Sequence, residues 1–217
     1  MPDTQKEIYY ISAETSAQAL ASPHLEGFKS KNIPVLIMTD AIDQFWLPMV
    51  GSFKEKKFTS ITQGKINLDE LDSKNKDKKN KSNNDKDKQD KEYVDLIAQL
   101  KVVLGDQVKD IRLSTKLTDS PVCLVADEGD MDIAMEQLMA QRDSNYKGAP
   151  RILEINGDHS LIKNMKSLLS KKESNDLVSD AGTLLFEQAR LMEGKMPADP
   201  AQFSKIMNQF LLKAIPN

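Results

Sequence analysis

The residues with the greatest density of chemically useful groups form an acidic cluster, Asp127-Glu128-Gly129-Asp130-Met131-Asp132. Carboxylates at this density can hold a divalent cation, but the glycine lies in the wrong place for an EF-hand, and no glutamate closes a twelve-residue loop. Carboxylates that directly precede a helix also stabilise its positive end. The cluster therefore indicates the start of a helix rather than a metal site.

The remaining candidates for catalysis each have a simpler structural explanation. Asp40 and Asp43 are three residues apart, but Asp40 is predicted to cap a helix rather than to form half of a catalytic pair. His159 follows a predicted turn and Cys123 lies within an apolar strand, so both are interpreted as structural residues. The sequence also lacks a glycine-rich phosphate loop, a nucleophile elbow and the H-E-x-x-H zinc motif. We therefore predict no catalytic, cofactor-binding or metal-binding residue in this chain.

Composition excludes several classes of protein. The chain has 217 residues, is 39% hydrophobic and carries a formal net charge of -3. Its single cysteine excludes a disulfide framework and indicates a reducing compartment, so we expect a cytoplasmic protein. The longest apolar run, residues 33–38, is too short to cross a bilayer, and no signal peptide opens the sequence, so no membrane partner is expected. The acidic isoelectric point, about 5.5, disfavours a globally basic nucleic-acid-binding protein.

One segment, Asp72 to Glu92, contains no apolar side chain and is predicted to be a charged flexible linker. It divides the chain into a first domain, residues 1–71, and a second domain, residues 93–217. Its acidic residues nearly balance its lysines and no aromatic residue is interleaved, which disfavours a nucleic-acid-binding tail over Lys74 to Lys91. Steeply salt-dependent binding would indicate such a tail, so this alternative stays open.

The first domain is predicted to be a small α/β layer. Residues 8–11 and 33–38 form two strands, the second continuously apolar and thus predicted to be buried on both faces. Ser22-Pro23 begins a helix between them, Thr39-Asp40 begins another after them, and residues 58–66 add an extended edge. A strand, a crossover helix and a strand indicate parallel pairing.

The second domain is predicted to be α+β. A helix over residues 93–104 carries the apolar residues Val94, Ile97, Leu100, Val103 and Leu104 on one stripe. Strands follow at 111–117, 122–125 and 151–155, with a helix from Asp130 to about Arg142 between the last two. Another helix follows the turn at Asn156, and two further helices end the sequence.

Gly194 ends the first of these last two helices, and the cap Asp199 with Pro200 begins the second. Because the connection between them is short, we predict that the two helices form an antiparallel hairpin. Its apolar residues repeat at helical spacing. Such a hairpin packs either on its own domain or on a second copy as a four-helix bundle, and the pattern alone does not separate the two. The candidate dimer-interface residues are Leu177, Ala181, Leu184, Leu185, Met192, Phe203, Ile206, Met207, Phe210 and Leu211.

Two further apolar groups are candidates for binding other proteins. Met131, Met135, Leu138 and Met139 form a stripe, called here the methionine stripe, which by pattern alone is more typical of core. Methionine is also suited to surfaces that must fit many partners. Phe45-Trp46 forms the second group, either adaptable surface or core.

Seven stretches spread over nearly the whole chain, apart from the charged segment, match one known family in order and spacing: Ile8–Ile11, Ser22–Glu26, Val35–Trp46, Val108–Leu113, Leu117–Pro121, Glu154–His159 and Met207–Gln209. In these stretches the sequence resembles the bacterial form of the ninety-kilodalton heat-shock chaperones. Lys116 stands where that family usually has arginine, and Gly157 where proline is common.

This resemblance implies that the chain corresponds to the end of the middle domain plus the dimerisation domain. The last two helices would form the constitutive dimer, and the methionine stripe and Phe45, with Trp46 beside it, would contact partly unfolded client proteins in the cleft between protomers. The ATP-binding domain, with its ATP and Mg, would lie upstream, so no ATPase activity and no cofactor are expected here. No Met-Glu-Glu-Val-Asp tail follows Asn217, so tetratricopeptide co-chaperones are not expected. The alternative is a monomeric α/β module that binds a small ligand or phosphate and uses the hairpin as internal core.

Overall fold

A computed structural model describes residues 5–64, 66, 68, 91–143, 146, 148–169 and 175–215. Over these residues the chain forms two β-sheets and eight α-helices, which confirms a mixed α/β fold. Residues 72–90 of the predicted linker lie outside the described residues. Within the described ranges, no helix combines the length and apolar character that a membrane span requires.

The first four-stranded sheet forms the α/β half of the structure. Its elements are β1 (Glu7–Ser12), α1 (Ser16–Leu20), α2 (Glu26–Ser30), β2 (Val35–Met38), α3 (Asp43–Val50), β3 (Ser52–Phe53) and β4 (Lys56–Ser60). The strand order is β2-β1-β4-β3, with β1 parallel to β2 and to β4, so the predicted parallel pairing is confirmed. Ser22 caps the short 3-10 helix Pro23–Leu25 through its side chain, as the serine-proline pair predicts.

Three predictions for this half are wrong in detail. Strand β2 is an edge strand, and Leu36 is 45% exposed, so the strand is not buried on both faces. Helix α3 begins at Asp43 rather than at Thr39-Asp40, and it continues through Pro48 because a single proline removes only one helical hydrogen bond. Strand β4 is an interior strand rather than an extended edge.

The second sheet belongs to the α+β half. Central β7 is fully buried, parallel to β5 and antiparallel to β6, and helices α4, α6 and α7 share its apolar core. Helix α4 buries the row Leu96, Leu100 and Leu104, whereas Val94, predicted to lie on the apolar stripe, is exposed. The elements are α4 (Val94–Leu104), β5 (Val108–Leu113), β6 (Val122–Val125), α5 (Ile133–Arg142), β7 (Arg151–Ile155), α6 (Ser160–Leu169), α7 (Asn175–Met192) and α8 (Pro200–Ala214).

Polar contacts join the two halves. The Glu26 carboxylate of α2 accepts backbone N–H bonds from Thr118, Asp119 and Ser120 at 2.8–3.1 Å. Burial alone would raise the pKa of Glu26, but these hydrogen bonds, with that of the Ser120 hydroxyl, lower it. The ammonium group of Lys116 is buried and donates to the Ile61 carbonyl at 3.0 Å. The orientation of the α/β half is therefore fixed by charged groups whose partners lie on the other half.

Candidate functional surfaces

The N-terminal end of helix α5 is held by both halves of the structure. Asp132, rather than the predicted Asp130, caps this helix: its Oδ1 accepts the Ala134 N–H at 3.0 Å. Its Oδ2 accepts hydroxyl bonds from Ser60 and from Thr62, the latter at 2.8 Å. Since these hydroxyls lie at the end of β4, one carboxylate both starts α5 and attaches it to the α/β half.

Removing both hydroxyls by Ser60→Ala and Thr62→Val is expected to lower the free energy of unfolding by about 3–6 kcal/mol, because each of the two hydrogen bonds to a charged group contributes about 1.5–3 kcal/mol. The helix cap is retained, so amide exchange should rise across the contact between halves more than within α5. Denaturant unfolding and hydrogen exchange measure the two effects. Thr59→Val is the matched control, because the Thr59 hydroxyl is buried without a hydrogen-bond partner. A loss as large in the control would contradict the prediction.

A buried ion pair holds the next turn of α5. Glu136 is 3% exposed and pairs with Arg151 of β7, whose Nη1 also donates to the Met131 carbonyl at 3.0 Å. The Glu136 carboxylate accepts the Ala149 N–H at 2.6 Å as well. Gln137 then donates to the carbonyl of Glu193, just beyond α7. The base of α5 is thus attached to the central strand and to the end of α7.

The methionine stripe is not buried in the core. Of the residues in α5, only Ile133 and Glu136 are buried. Met131, just before the helix, is 40% exposed, and the stripe members on the helix, Met135, Leu138 and Met139, are half-buried. The structure therefore brings the four predicted residues to one partly exposed surface, where they can meet another molecule without unfolding of the core.

Phe45 and Trp46 lie on α3 in the α/β half, and both are half-buried. The Trp46 indole donates to the Asp43 carboxylate at 2.7 Å, and its ring packs edge-on against Phe58 with centroids 5.9 Å apart. More exposed apolar residues, which the sequence pattern does not distinguish from core, lie close to them along the chain. These are Ile42, Met49, Val50 and Phe53.

The terminal hairpin, helices α7 and α8, forms as predicted. Gly194 has a φ of +75°, and the Lys195 N–H bonds back to the Arg190 carbonyl at 3.0 Å, which ends α7. Asp199 caps α8 by accepting the Gln202 N–H at 2.9 Å, and Pro200 occupies the first turn. The Glu187 carboxylate accepts the Ala198 N–H at 3.1 Å and so fixes the connection between the helices.

An apolar row on this hairpin remains uncovered. Met207 is 39% exposed and Leu211 is 49% exposed, whereas Leu177, Leu184, Phe203 and Phe210 are half-buried. Met192 is also exposed, but it lies at the end of α7 beside Ile11 and Ile133 and is not part of this row. Three of the predicted interface residues, Ala181, Leu185 and Ile206, are buried within the chain itself. Two residues that the sequence analysis did not select, Leu212 and Ile215, are strongly exposed beside this row.

The acidic cluster and the other candidate reactive groups have structural roles. Asp127 and Asp130 pair with Lys109 at 2.8 and 3.0 Å, and within the described part of the chain no three His, Cys, Asp or Glu side chains converge as a metal site would require. Asp40 does not cap α3 as predicted; its N–H donates to the Asp43 carboxylate instead. Burial strongly raises the pKa of the Cys123 thiol, and His159 accepts the Leu161 N–H at 3.1 Å.

Comparison with known proteins gives consistent matches over the whole chain. The family model described as Hsp90 protein matches residues 1–216. The chaperone protein HtpG of Roseobacter denitrificans is 40% identical over 97% of this chain and 34% of its own length. HtpG of Paramagnetospirillum magneticum is 38% identical over 99% of this chain and 34% of its length, and that of Streptomyces coelicolor is 35% identical over 95% and 32%. The chain thus spans about a third of the length of these relatives.

Proposed function

The chain belongs to the Hsp90 protein family, and from that premise we propose that it is the end of the middle domain together with the dimerisation domain of a chaperone. In this proposal residues 1–71 and 93–217 are the two domains, and the charged segment between them is a linker. The chain forms a homodimer through its terminal hairpin and presents apolar surfaces to partly unfolded client proteins. It needs no cofactor and hydrolyses no ATP, because the ATP-binding domain of the family would belong to another part of the protein.

One observation carries this proposal: the apolar row on the terminal hairpin is left uncovered by its own chain. Met207 and Leu211 each retain a large exposed apolar surface, and Leu212 and Ile215 extend it. Leaving such side chains in water forgoes roughly 1.5–3 kcal/mol each relative to full burial. A second copy related by a two-fold axis would cover the row with an identical one, completing a four-helix bundle.

The proposed client surface consists of the methionine stripe together with Phe45 and Trp46. In a dimer each surface is present twice, so weak contacts on both arms act together through their effective concentration. Methionine side chains adapt to apolar groups of many shapes, which suits partners that differ in sequence. The single thiol, Cys123, agrees with action in a reducing compartment such as the cytoplasm.

The family match does not favour the alternative of a monomeric α/β module that binds a small ligand or phosphate. Sedimentation equilibrium separates the two directly. The proposal requires the mass of two chains at tens of micromolar, and a mass of one chain at that concentration would contradict the dimer.

Replacing Met135 and Met139 by lysine is expected to weaken the capture of an unfolded polypeptide by about tenfold, because a charge within the stripe opposes the burial of apolar groups by at least about 1.4 kcal/mol. Fluorescence anisotropy with a labelled, permanently unfolded polypeptide measures the dissociation constant. Val94→Lys with Val102→Lys is the matched control, since both valines are exposed on α4. Equal weakening in the control, or unchanged capture by the stripe variant, would show that the stripe is misassigned.

A further inference from the structure

The dipeptide Asn156-Gly157 directly follows the central strand β7, and it is the one Asn-Gly pair in the sequence of 217 residues. In an unstructured chain, the backbone nitrogen of a glycine readily attacks the side-chain amide carbon of a preceding asparagine, because glycine has no side chain to obstruct it. A five-membered succinimide ring forms, and ammonia leaves with the glycine N–H proton. Water then opens the ring to aspartate or isoaspartate. Proline, which is common at this position in the family that the sequence resembles, has no N–H and cannot close the ring.

The folded turn restrains the amide that would react. Asn156 is 4% exposed, its Nδ2 donates to the Ser120 carbonyl at 3.0 Å, and its Oδ1 accepts the Asp158 N–H at 3.0 Å. The Asn156 N–H also donates to the Pro121 carbonyl at 2.8 Å, which fixes the backbone. Ring closure expels Nδ2 as ammonia, so the hydrogen bond to Ser120 must break before the reaction can proceed.

The nitrogen of Gly157 is less restrained than the amide. Within the part of the chain that the structure describes, its N–H donates no hydrogen bond, although the residue is buried. Gly157 is held through its carbonyl instead, which accepts the Tyr93 hydroxyl at 2.6 Å. The hydrogen bonds of the Asn156 side chain, rather than a bond to the attacking nitrogen, therefore control whether the ring can form.

The partner of this amide is itself held by the other half of the structure. The Glu26 carboxylate of α2 accepts the backbone N–H groups of residues 118–120 at 2.8–3.1 Å, and the Ser120 hydroxyl donates to it as well. The contact between the two halves thus holds the Ser120 carbonyl against the Asn156 amide. When this contact opens, the amide loses its partner even if β7 stays folded.

We propose that Asn156 is a deamidation site that the contact between the two halves protects and that reacts when this contact opens. Gly157 supplies the nucleophilic nitrogen, Asn156 supplies the electrophilic carbon and the departing ammonia, and water is the only other reactant. Because the reaction is irreversible, its extent records the time that a chain has spent open. The inference goes beyond the proposed function and does not depend on it.

The product does not fit the closed turn. Aspartate places a carboxylate oxygen where Nδ2 donates to the Ser120 carbonyl, so two acceptors face each other at a buried position. Isoaspartate adds a methylene group to the backbone between the Asn156 N–H, which bonds to Pro121, and its carbonyl, which accepts the His159 N–H. A chain that has reacted is therefore expected to remain open at this contact.

The first test compares the folded chain with the chain unfolded in guanidinium chloride, both at neutral pH. Mass spectrometry follows the tryptic peptide of residues 152–163, in which Asn156 is the only side-chain amide, so a gain of one mass unit reports this site. The unfolded chain is expected to react at least about a hundredfold faster, because the folded chain reacts only through its small open population. Equal rates would overturn the protection. An unfolded chain that gains no mass, or an equal gain in unfolded Gly157→Pro, would overturn the site.

The second test weakens the contact between the halves in the folded chain. Glu26→Gln replaces charge-assisted hydrogen bonds by neutral ones and is expected to raise the deamidation rate of Asn156 at least about tenfold. Ser120→Ala removes one bond to the same carboxylate and should raise the rate by a smaller factor, so the test does not depend on the stability of Glu26→Gln. Glu128→Gln is the matched control, because it removes an acidic charge at an exposed position outside this contact. Unchanged rates in both contact variants, or an equal rise in the control, would overturn the coupling.

Discussion

Replacing Met207 and Leu211 by glutamate is expected to convert the dimer into a monomer by raising its dissociation constant at least about a hundredfold. Each apolar side chain buried at an interface contributes roughly 1.5–3 kcal/mol, so the pair accounts for about 3–6 kcal/mol, and a buried carboxylate without a partner adds a further cost. Both side chains are exposed within one chain, so the monomer should keep its fold. Sedimentation equilibrium gives the mass, and circular dichroism checks the helix content.

The control for this prediction is Gln209→Glu on the same helix. Gln209 is exposed and points away from the row formed by Met207 and Leu211, so the added charge should leave the dimer intact. A dimer that survives the double substitution would contradict the proposed interface. Dissociation in the control would indicate that net charge, rather than burial of the apolar row, governs association.

The features predicted correctly from the sequence are those that neighbouring residues determine. Asp199 and Pro200 at one helix start and Gly194 at another helix end specify the terminal hairpin through local hydrogen bonds and backbone conformation. The strand Arg151–Ile155 also forms close to where its residues predict it. It is buried along its whole length although Arg151 and Glu154 are charged, because both charges are paired within the chain.

The errors concern contacts between distant parts of the chain. The apolar run at Val35 to Met38 has the pattern of a central strand, but only β1 pairs with it, because β4, about twenty residues later, pairs on the other side of β1. Ile42 and Phe53 were not predicted as exposed residues, because their pattern alone is equally typical of core. The β3–β4 turn at Lys54-Glu55, with both φ angles positive, also lacks the glycine that usually marks such a hairpin.

The candidate surfaces show the same limit. The spacing of the apolar residues in the terminal helices identifies the apolar face of each helix. It does not show which residues of that face pack in the chain's own core and which remain for a partner. Ala181, Leu185 and Ile206 turn inward, whereas Met207 and Leu211 stay exposed. Asp132 was recognised only as part of an acidic cluster, because its partners Ser60 and Thr62 lie about seventy residues earlier and nothing in the local sequence relates them.

Replacing Arg151 by methionine is expected to lower the free energy of unfolding by about 3–5 kcal/mol. Methionine keeps an unbranched apolar side chain at this position, but the Glu136 carboxylate is left buried without its main partner. A buried, unpaired carboxylate destabilises the fold by more than the ion pair itself stabilises it. Lys195 lies 3.7 Å from the same carboxylate and is partly exposed, so it compensates only in part. Denaturant unfolding measures the loss, and hydrogen exchange should show the largest increase in α5, since Arg151 also holds the Met131 carbonyl.

The double variant Arg151→Met with Glu136→Leu separates the charge from the packing. Removing both charges eliminates the unpaired carboxylate, and apolar side chains of similar volume often replace a buried ion pair without loss of stability, so we expect at least half of the stability to return. The Ala149 N–H loses its acceptor but is exposed and can bond to water. If the two losses simply add, the pair is not an interacting unit. If the single substitution costs less than about 1 kcal/mol, α5 is held mainly by Asp132, and the ion pair contributes little to the position of the methionine stripe.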